Sequence, residues 1–296
     1  MKTSVALFVL IFGNPFLVTN NWEAFKSYWY SGTAEISSYD LVQARYGELR
    51  KGEAVMIFVT EDFSKSKQVK LDNSKKNPSD VKSVLKLNMT RKFNTGIYPY
   101  SMMTAIFSPV DLNTLQNPIK ITCSSQEWCG HTFSQLNARE GKYELDQKSY
   151  FETEGDLKEK VKFTTTEDGI WNTIRMNPEL LPQGEFEMIP SMVITRLLHI
   201  DVEPMSVRGS LFKSRTTAGQ MVYELQFLEF DRKRTIYFQS QFPYIIEGWE
   251  DTYKSGFGPN ARQLTSSAKR KKTLKVDYWN KNKEQDTLLR KQLELN

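Results

Sequence analysis

Polar and apolar residues alternate with a period of two along most of the chain. In Met221–Phe230, for example, Tyr223, Leu225 and Phe227 fall on one side and polar residues lie between them. Successive side chains of a strand point to opposite faces of a sheet, so this pattern predicts a strand with one buried face and one wet face.

Short segments of this kind follow one another, separated by turn residues. The predicted strands are Ala34–Tyr46, Ala54–Glu61, Val84–Thr90, Tyr98–Phe107, Ile119–Ser124, Thr132–Leu136, Gly141–Phe151, Phe186–Pro190, Met192–Val202, Val207–Lys213, Met221–Phe230, Thr235–Phe242, Ile245–Trp249, Leu264–Ser267 and Thr273–Tyr278. Parallel βαβ units need a helix of roughly 10–15 residues between strands, and the chain offers almost none. We therefore expect a mostly β protein, with a large curved antiparallel sheet or open half-barrel and a few short helices.

Three segments have helical character. Trp22–Tyr30 and Asp168–Arg175 place apolar residues three or four positions apart, and Lys283–Leu295 is charged and compatible with a peripheral helix. Ser64–Lys82 and Glu154–Lys160 are rich in polar and charged residues, which predicts two loops.

The N-terminus has the pattern of a secretory signal peptide. One lysine precedes the apolar run Val5–Phe12, and a Gly-Asn-Pro triplet follows it. We expect residues 1–19 to be such a peptide and the protein to be exported to the periplasm or cell envelope; the alternative is a buried N-terminal strand. Residues 20–296 would then form a single β-rich domain, with 154–168 as a sub-boundary if there is one. No later segment reaches the ~20 apolar residues of a membrane span.

The overall composition is that of a globular protein. The chain has 296 residues, of which 39% are hydrophobic and 25% charged, and its net charge is +5. The densest basic run is Lys269–Lys272, which we interpret as a solvated loop or strand end, so no nucleic-acid partner is predicted.

The stretch Leu87–Leu136 contains both cysteines, Cys123 and Cys129. In an exported protein, two cysteines five residues apart can close a disulfide across a turn, with Ser124–Trp128 as the loop. We expect that disulfide on export, and two buried free thiols if the chain is cytosolic.

Other chemistries of these cysteines are less consistent with the sequence. The Trp-Cys-Gly-His motif at Cys129 resembles that of protein disulfide isomerases, but Thr132 replaces the resolving cysteine. Together with His131 the two cysteines could suggest zinc, but structural zinc sites use the tighter spacing C-x2–4-C. We predict no metal and no cofactor.

Motifs of the common enzyme classes are missing from the sequence. It has no G-x-S-x-G, no Walker loop, no G-x-G-x-x-G and no H-E-x-x-H. We therefore assign no catalytic residue. An enzyme is kept as the alternative hypothesis, either a hydrolase with carboxylates remote in sequence or a thiol enzyme that uses Cys129.

Three stretches together resemble a known but uncharacterised family. They are Tyr28–Phe63, Leu85–Met103 and Gln126–Phe133. The family comprises exported, often lipoprotein-like proteins of Bacteroidetes-type bacteria that are often labelled "septum formation inhibitor Maf". That label implies a nucleotide pyrophosphatase, whose S-x-S-P-R-R-type motif this chain lacks, so no Maf site residue is transferred. The resemblance implies an envelope location, although no lipobox cysteine lies near Leu17.

The same stretch Leu87–Leu136 supplies the candidate ligand-binding residues. A curved sheet offers a concave face for an apolar or lipid-like ligand, and the predicted lining is aromatic and methionine-rich: Tyr98, Tyr100, Met102, Met103, Phe107 and Trp128. The alternative is that these residues fill the core. The functional hypothesis is a non-enzymatic envelope protein that binds an apolar ligand or a protein partner.

Overall fold

The computed structural model describes residues 22–295. Within that range one sheet contains 15 strands. The strands are β1 Ala34–Arg45, β2 Glu48–Ser64, β3 Val81–Thr95, β4 Tyr98–Pro109, β5 Lys120–Glu127, β6 Gly130–Arg139, β7 Lys142–Ser149, β8 Leu157–Lys162, β9 Thr165–Thr166, β10 Gly184–Ile189, β11 Met205–Lys213, β12 Gln220–Phe227, β13 Arg232–Gln239, β14 Ile246–Ser255 and β15 Arg262–Val276. The α-helices of the described range are α1 Trp22–Trp29, α2 Gly169–Met176, α3 Met192–Leu198 and α4 Leu288–Gln292, and short 3-10 helices lie in several of the connections.

The strand order shows how the sheet is connected. It runs from β8 down to β1, then from β15 down to β9, and all neighbours are antiparallel except β9 and β10. The two end strands, β8 and β9, are separated along the chain only by Phe163 and Thr164. Since so short a link spans at most about 10 Å, the sheet must curve until its two ends approach each other.

The predicted fold class is confirmed: the protein is mostly β, with one large sheet and a few short helices. The predicted signal peptide, residues 1–19, lies outside the described residues. The strands on both sides of the predicted sub-boundary, 154–168, belong to the same sheet.

Three element predictions were wrong in whole or in part. Met192–Val202 is not a strand, because its first seven residues form the buried helix α3. The loop predicted at Glu154–Lys160 contains the start of β8. The two strands predicted around Lys269–Lys272 are one long strand, β15.

The basic run lies inside a strand rather than in a loop or at a strand end; Lys269 and Lys272 are exposed, and the other two residues pair with acids of neighbouring strands. Within β15, Arg270 lies 2.9 Å from Glu247 of β14, and Lys271 lies 3.7 Å from Asp40 of β1. Cross-strand pairs of opposite charge favour this register, so the acids of the neighbouring strands let the run continue as a strand.

Helix α2 fills the space inside the curved sheet. All eight of its residues are buried. Trp171 packs edge-on against Trp249 of β14 at 5.4 Å, and Arg175 forms a bidentate pair with the buried Glu35 of β1. The Asn172 amide donates to the Leu85 carbonyl of β3 at 2.9 Å. The concave face is therefore occupied by the chain itself over this region.

Candidate functional site

Helix α3 is held at its N-terminus by two neighbouring carboxylates. The Ser191 hydroxyl caps the helix and accepts from the Val193 amide, and the Met192 amide donates to Asp168 at 2.9 Å. The Ser191 amide donates to Glu167 at 2.8 Å. These contacts place α3 against the inner face of β4 and β5.

Glu167 is anchored in turn by a buried ion-pair network. Arg232 and Arg234 of β13 each lie 2.6 Å from Glu167, and Asp251 of β14 pairs with both arginines. Burial opposes ionisation of Glu167, but the two guanidinium groups hold the pKa of its carboxyl below the usual range. The network therefore ties the start of α3 to the sheet.

The end of α3 lies where several hairpin turns meet. Since the strands alternate in direction, the turns after β1, β3, β5, β7, β12 and β14 share one end of the sheet with the connection from β10 to β11. His199 ends α3 with a left-handed φ of 55°. Its ring lies 5.5 Å from that of Phe151 and 5.8 Å from that of Phe257.

On one side of this helix end lies a cavity of about 350 Å³, here called the polar cavity. It is bounded by β6, β7 and β8, by the segment before β8, and by the last turn of α3 with the residues that follow it. Its ionisable lining residues are Glu154, Glu159, Arg196, His199, Asp201 and Glu203. Four acids face two basic residues, so the cavity favours a polar ligand with positive charge.

His199, Glu154 and Arg196 form the ionic centre of the polar cavity. The His199 Nδ1 hydrogen-bonds to Glu154, and the Arg196 guanidinium lies 3.6 Å from the same carboxylate. Burial lowers the pKa of His199, the Glu154 carboxylate opposes this shift, and repulsion from Arg196 and Arg45 adds to it. A neutral imidazole that donates from Nδ1 to Glu154 satisfies these contacts.

A second cavity at this helix end, of about 200 Å³, is here called the apolar cavity. Its apolar lining residues are Ala44, Leu197, Leu198, Ile200, Phe230 and Phe257. Ile200 also lines the polar cavity, so the two spaces adjoin at this residue. Arg45 and Lys254 are the charged side chains that line the apolar cavity within the described chain.

None of the six predicted ligand-binding residues lines either cavity. Tyr100 and Met102 point inward from β4 and are buried in the core, and Tyr98 packs at its edge. Met103 and Phe107 point to the opposite face of β4, where Phe107 stacks on Phe63.

Trp128, the sixth of these residues, lies in the turn between β5 and β6. It is 67% exposed, and its ring lies 6.3 Å from that of Tyr98. The structure therefore divides the predicted set between both faces of the sheet and a turn.

The predicted disulfide was wrong, because Cys123 and Cys129 are both free. The expected loop is mostly strand: β5 continues to Glu127, and the turn consists of Trp128 and Cys129 alone. Four extended residues span ~13 Å, far more than a disulfide bridges. Burial raises the pKa of the Cys123 thiol to about 12.

The exposed Cys129 is not activated as a nucleophile. A hydrogen bond to Glu127 and the charge of that carboxylate raise the pKa of the Cys129 thiol. In the described range, no group of three or more histidine, cysteine or acidic side chains is arranged to hold a metal ion.

Sequence reasoning missed the residues that define the two cavities, above all Arg45, Glu154, Arg196 and His199. They lie far apart in the chain and meet only because alternate turns share one end of the sheet. The one local signal was Ser191 directly before an apolar run, since serine is a favoured N-cap residue of helices.

Comparison of the chain with protein-family models, with curated proteins and with solved structures finds no match in any of the three. Across residues 22–295, no helix has both the length and the apolar character needed to cross a bilayer.

Proposed function

We propose that this protein is a non-enzymatic ligand-binding protein of the cell envelope and that it takes a small apolar or lipid-like molecule beside the end of α3. The apolar cavity is the observation that carries the proposal: its walls are mostly aliphatic and aromatic side chains, and it adjoins a larger polar space. A cavity with apolar walls and a few polar groups is the usual form of a small-molecule site.

The envelope location is part of the proposal and has separate support. The first 19 residues have the pattern of a signal peptide, and the resemblance described above is to exported proteins. Fractionation of cells that express the full chain tests the location. Recovery of the protein with the cytosol, with residues 1–19 still attached, would contradict it.

Titration calorimetry with n-octanol tests the binding site. A cavity-filling variant, Ile200→Trp, should weaken binding at least tenfold, because the indole fills space where the two cavities adjoin. Leu228→Trp is the matched control: Leu228 is 43% exposed and lines neither cavity. No binding to the wild-type protein, or equal binding by both variants, would reject the proposed site.

A second candidate function is acid–base catalysis in the polar cavity. The His199–Glu154 pair favours it, since a carboxylate that orients a histidine is a recurring catalytic arrangement. The test is turnover of a panel of nitrophenyl esters and glycosides. Catalysis there requires Glu154→Gln and His199→Gln both to reduce the rate by at least a hundredfold, roughly the contribution of one general base.

A further inference from the structure

Arg45 is a buried guanidinium without a carboxylate partner among the described residues. It is 4% exposed, and its hydrogen bonds go to neutral groups only: the Leu197 carbonyl and the hydroxyls of Tyr46 and Tyr100. Among the residues of the described range its Nε has no hydrogen-bond partner, and the guanidinium lies over the Tyr46 ring at 4.1 Å and the Tyr100 ring at 5.4 Å. Aromatic faces offset only part of the cost of burying a charge that has no carboxylate partner, so the guanidinium keeps the capacity to pair with an anion.

Other arginines inside the sheet differ from Arg45 in this respect. Arg175, Arg232 and Arg234 each lie within 2.6 Å of a buried carboxylate. Arg91 also lacks an ion pair among the described residues and, like Arg45, lies over an aromatic ring, but it lines neither cavity. Arg45 is thus distinguished by facing a cavity.

Among residues 22–295, no acidic residue lines the cavity that Arg45 faces. Lys254 adds a second positive charge, and the remaining walls are apolar apart from Ser255 and the Tyr253 hydroxyl. That hydroxyl is already engaged, since it donates to the Ala44 carbonyl at 2.7 Å. A positively charged, apolar space of this kind suits a molecule with an anionic end and an aliphatic end.

We propose that the apolar cavity binds an amphiphilic anion, with its head group on Arg45 and a short aliphatic chain against Leu197 and Leu198. This inference rests on the proposed function and adds the chemical class of the ligand. Arginine suits the role because its planar fork matches carboxylate and phosphate oxygens. The volume of about 200 Å³ is below the ~300–1,000 Å³ of most ligand sites, which restricts the chain to a short one.

Arg45 also has a structural role, because its donation to the Leu197 carbonyl helps to close the C-terminal end of α3. That contact uses one guanidinium nitrogen and goes to a neutral group, so within the described chain it leaves Arg45 without a carboxylate partner. The decisive experiment therefore varies the ligand first and the protein second.

Titration calorimetry on the wild-type chain compares n-octanoate, octyl phosphate, n-octanol and octylammonium, which share one aliphatic chain. We expect the two anions to bind roughly tenfold to a hundredfold more tightly than octanol, as a charged hydrogen bond implies, and octylammonium to bind most weakly. The tighter of the two anions identifies the head group as carboxylate or phosphate.

The outcomes separate this inference from the proposed function. Equal binding of octanol and the anions, or tightest binding of octylammonium, overturns the anion assignment and leaves an apolar site in place. Failure of all four ligands to bind overturns both.

Variants then assign the charge to Arg45. Arg45→Gln should remove the preference for anions. Arg45→Lys keeps the charge and should retain part of that preference. The matched control is Arg262→Gln, an exposed arginine of β15 that lines neither cavity. Circular dichroism verifies that each variant is folded, and an undiminished anion preference in folded Arg45→Gln would overturn the assignment.

Discussion

At the scale of single residues, His199 links the stability of the fold to pH. Its folded-state pKa is lowered by burial and by two nearby arginines, against the opposing Glu154, whereas its unfolded-state pKa is about 6.5. The unfolded chain therefore takes up a proton at higher pH than the folded one. The neutral ring therefore makes its full contribution to the free energy of unfolding above about pH 6.5. That contribution is lost as the pH falls through the folded-state pKa.

The prediction is that His199→Gln reduces the loss of stability between pH 7 and pH 5. The difference should be small, roughly a few tenths of a kcal/mol, because the partly exposed ring is screened by solvent. Urea denaturation of both proteins at each pH measures it. His131→Gln, which alters an exposed ring of β6, should keep the wild-type profile; a larger loss in His199→Gln than in the wild type would contradict the prediction.

The two thiols should differ sharply in reactivity. Cys129 is exposed and Cys123 buried, so maleimide should label the folded protein once and the unfolded protein twice. Mass spectrometry without reductant counts the labels. Cys129→Ser should abolish labelling of the folded protein and Cys123→Ser should leave it intact. An unlabelled folded protein whose mass lacks two hydrogens would instead reveal a disulfide.

At the scale of elements, alternation predicts strands well where one face is buried and the other wet. In β12, Tyr223, Leu225 and Phe227 point inward as the pattern requires. Alternation fails for α3, because every residue from Met192 to Leu197 is buried and a buried helix shows no polar face. A short apolar run of this kind fits a helix and a strand equally well.

The long strand β15 shows a second limit of sequence patterns. Four basic residues in succession suggest a break, yet the strand continues, with acids of β14 and β1 beside Arg270 and Lys271. Those partners come from positions more than 20 residues away. The same holds for the cavities, whose linings come from turns that only the strand order brings together.

The stability of the fold should depend on Glu167, which anchors the start of α3. Glu167→Gln should lower the free energy of unfolding by about 3–5 kcal/mol, since it leaves two buried guanidinium groups undercompensated. Glu224→Gln is the control, because its pair with Lys233 lies at the surface and should contribute about 0–1 kcal/mol. Urea unfolding measures both. Equal effects of the two changes would mean that the buried network does not support the fold.

At the scale of the whole molecule, the sheet joins distant parts of the chain. Strands β1 and β15 pair at its centre, although more than 200 residues separate them. Helices α2 and α3 belong to the second half of the chain but pack on β3, β4 and β5 of the first half. Neither half can bury its apolar face without the other, so the halves should not be stable separately.

Thermal unfolding should therefore show one transition that depends on both halves. Met56→Ala in β2 and Ile236→Ala in β13 each remove a fully buried side chain and should each cost about 2–5 kcal/mol. If the sheet unfolds as a unit, scanning calorimetry will show a single endotherm that both changes move to lower temperature. Leu49→Ala, at a side chain 51% exposed, should change the free energy of unfolding by no more than about 0.5 kcal/mol. Two endotherms, each moved by only one of the core changes, would instead show independent units divided near residues 154–168. In that case the contacts of α2 and α3 with the first half would be too weak to couple them.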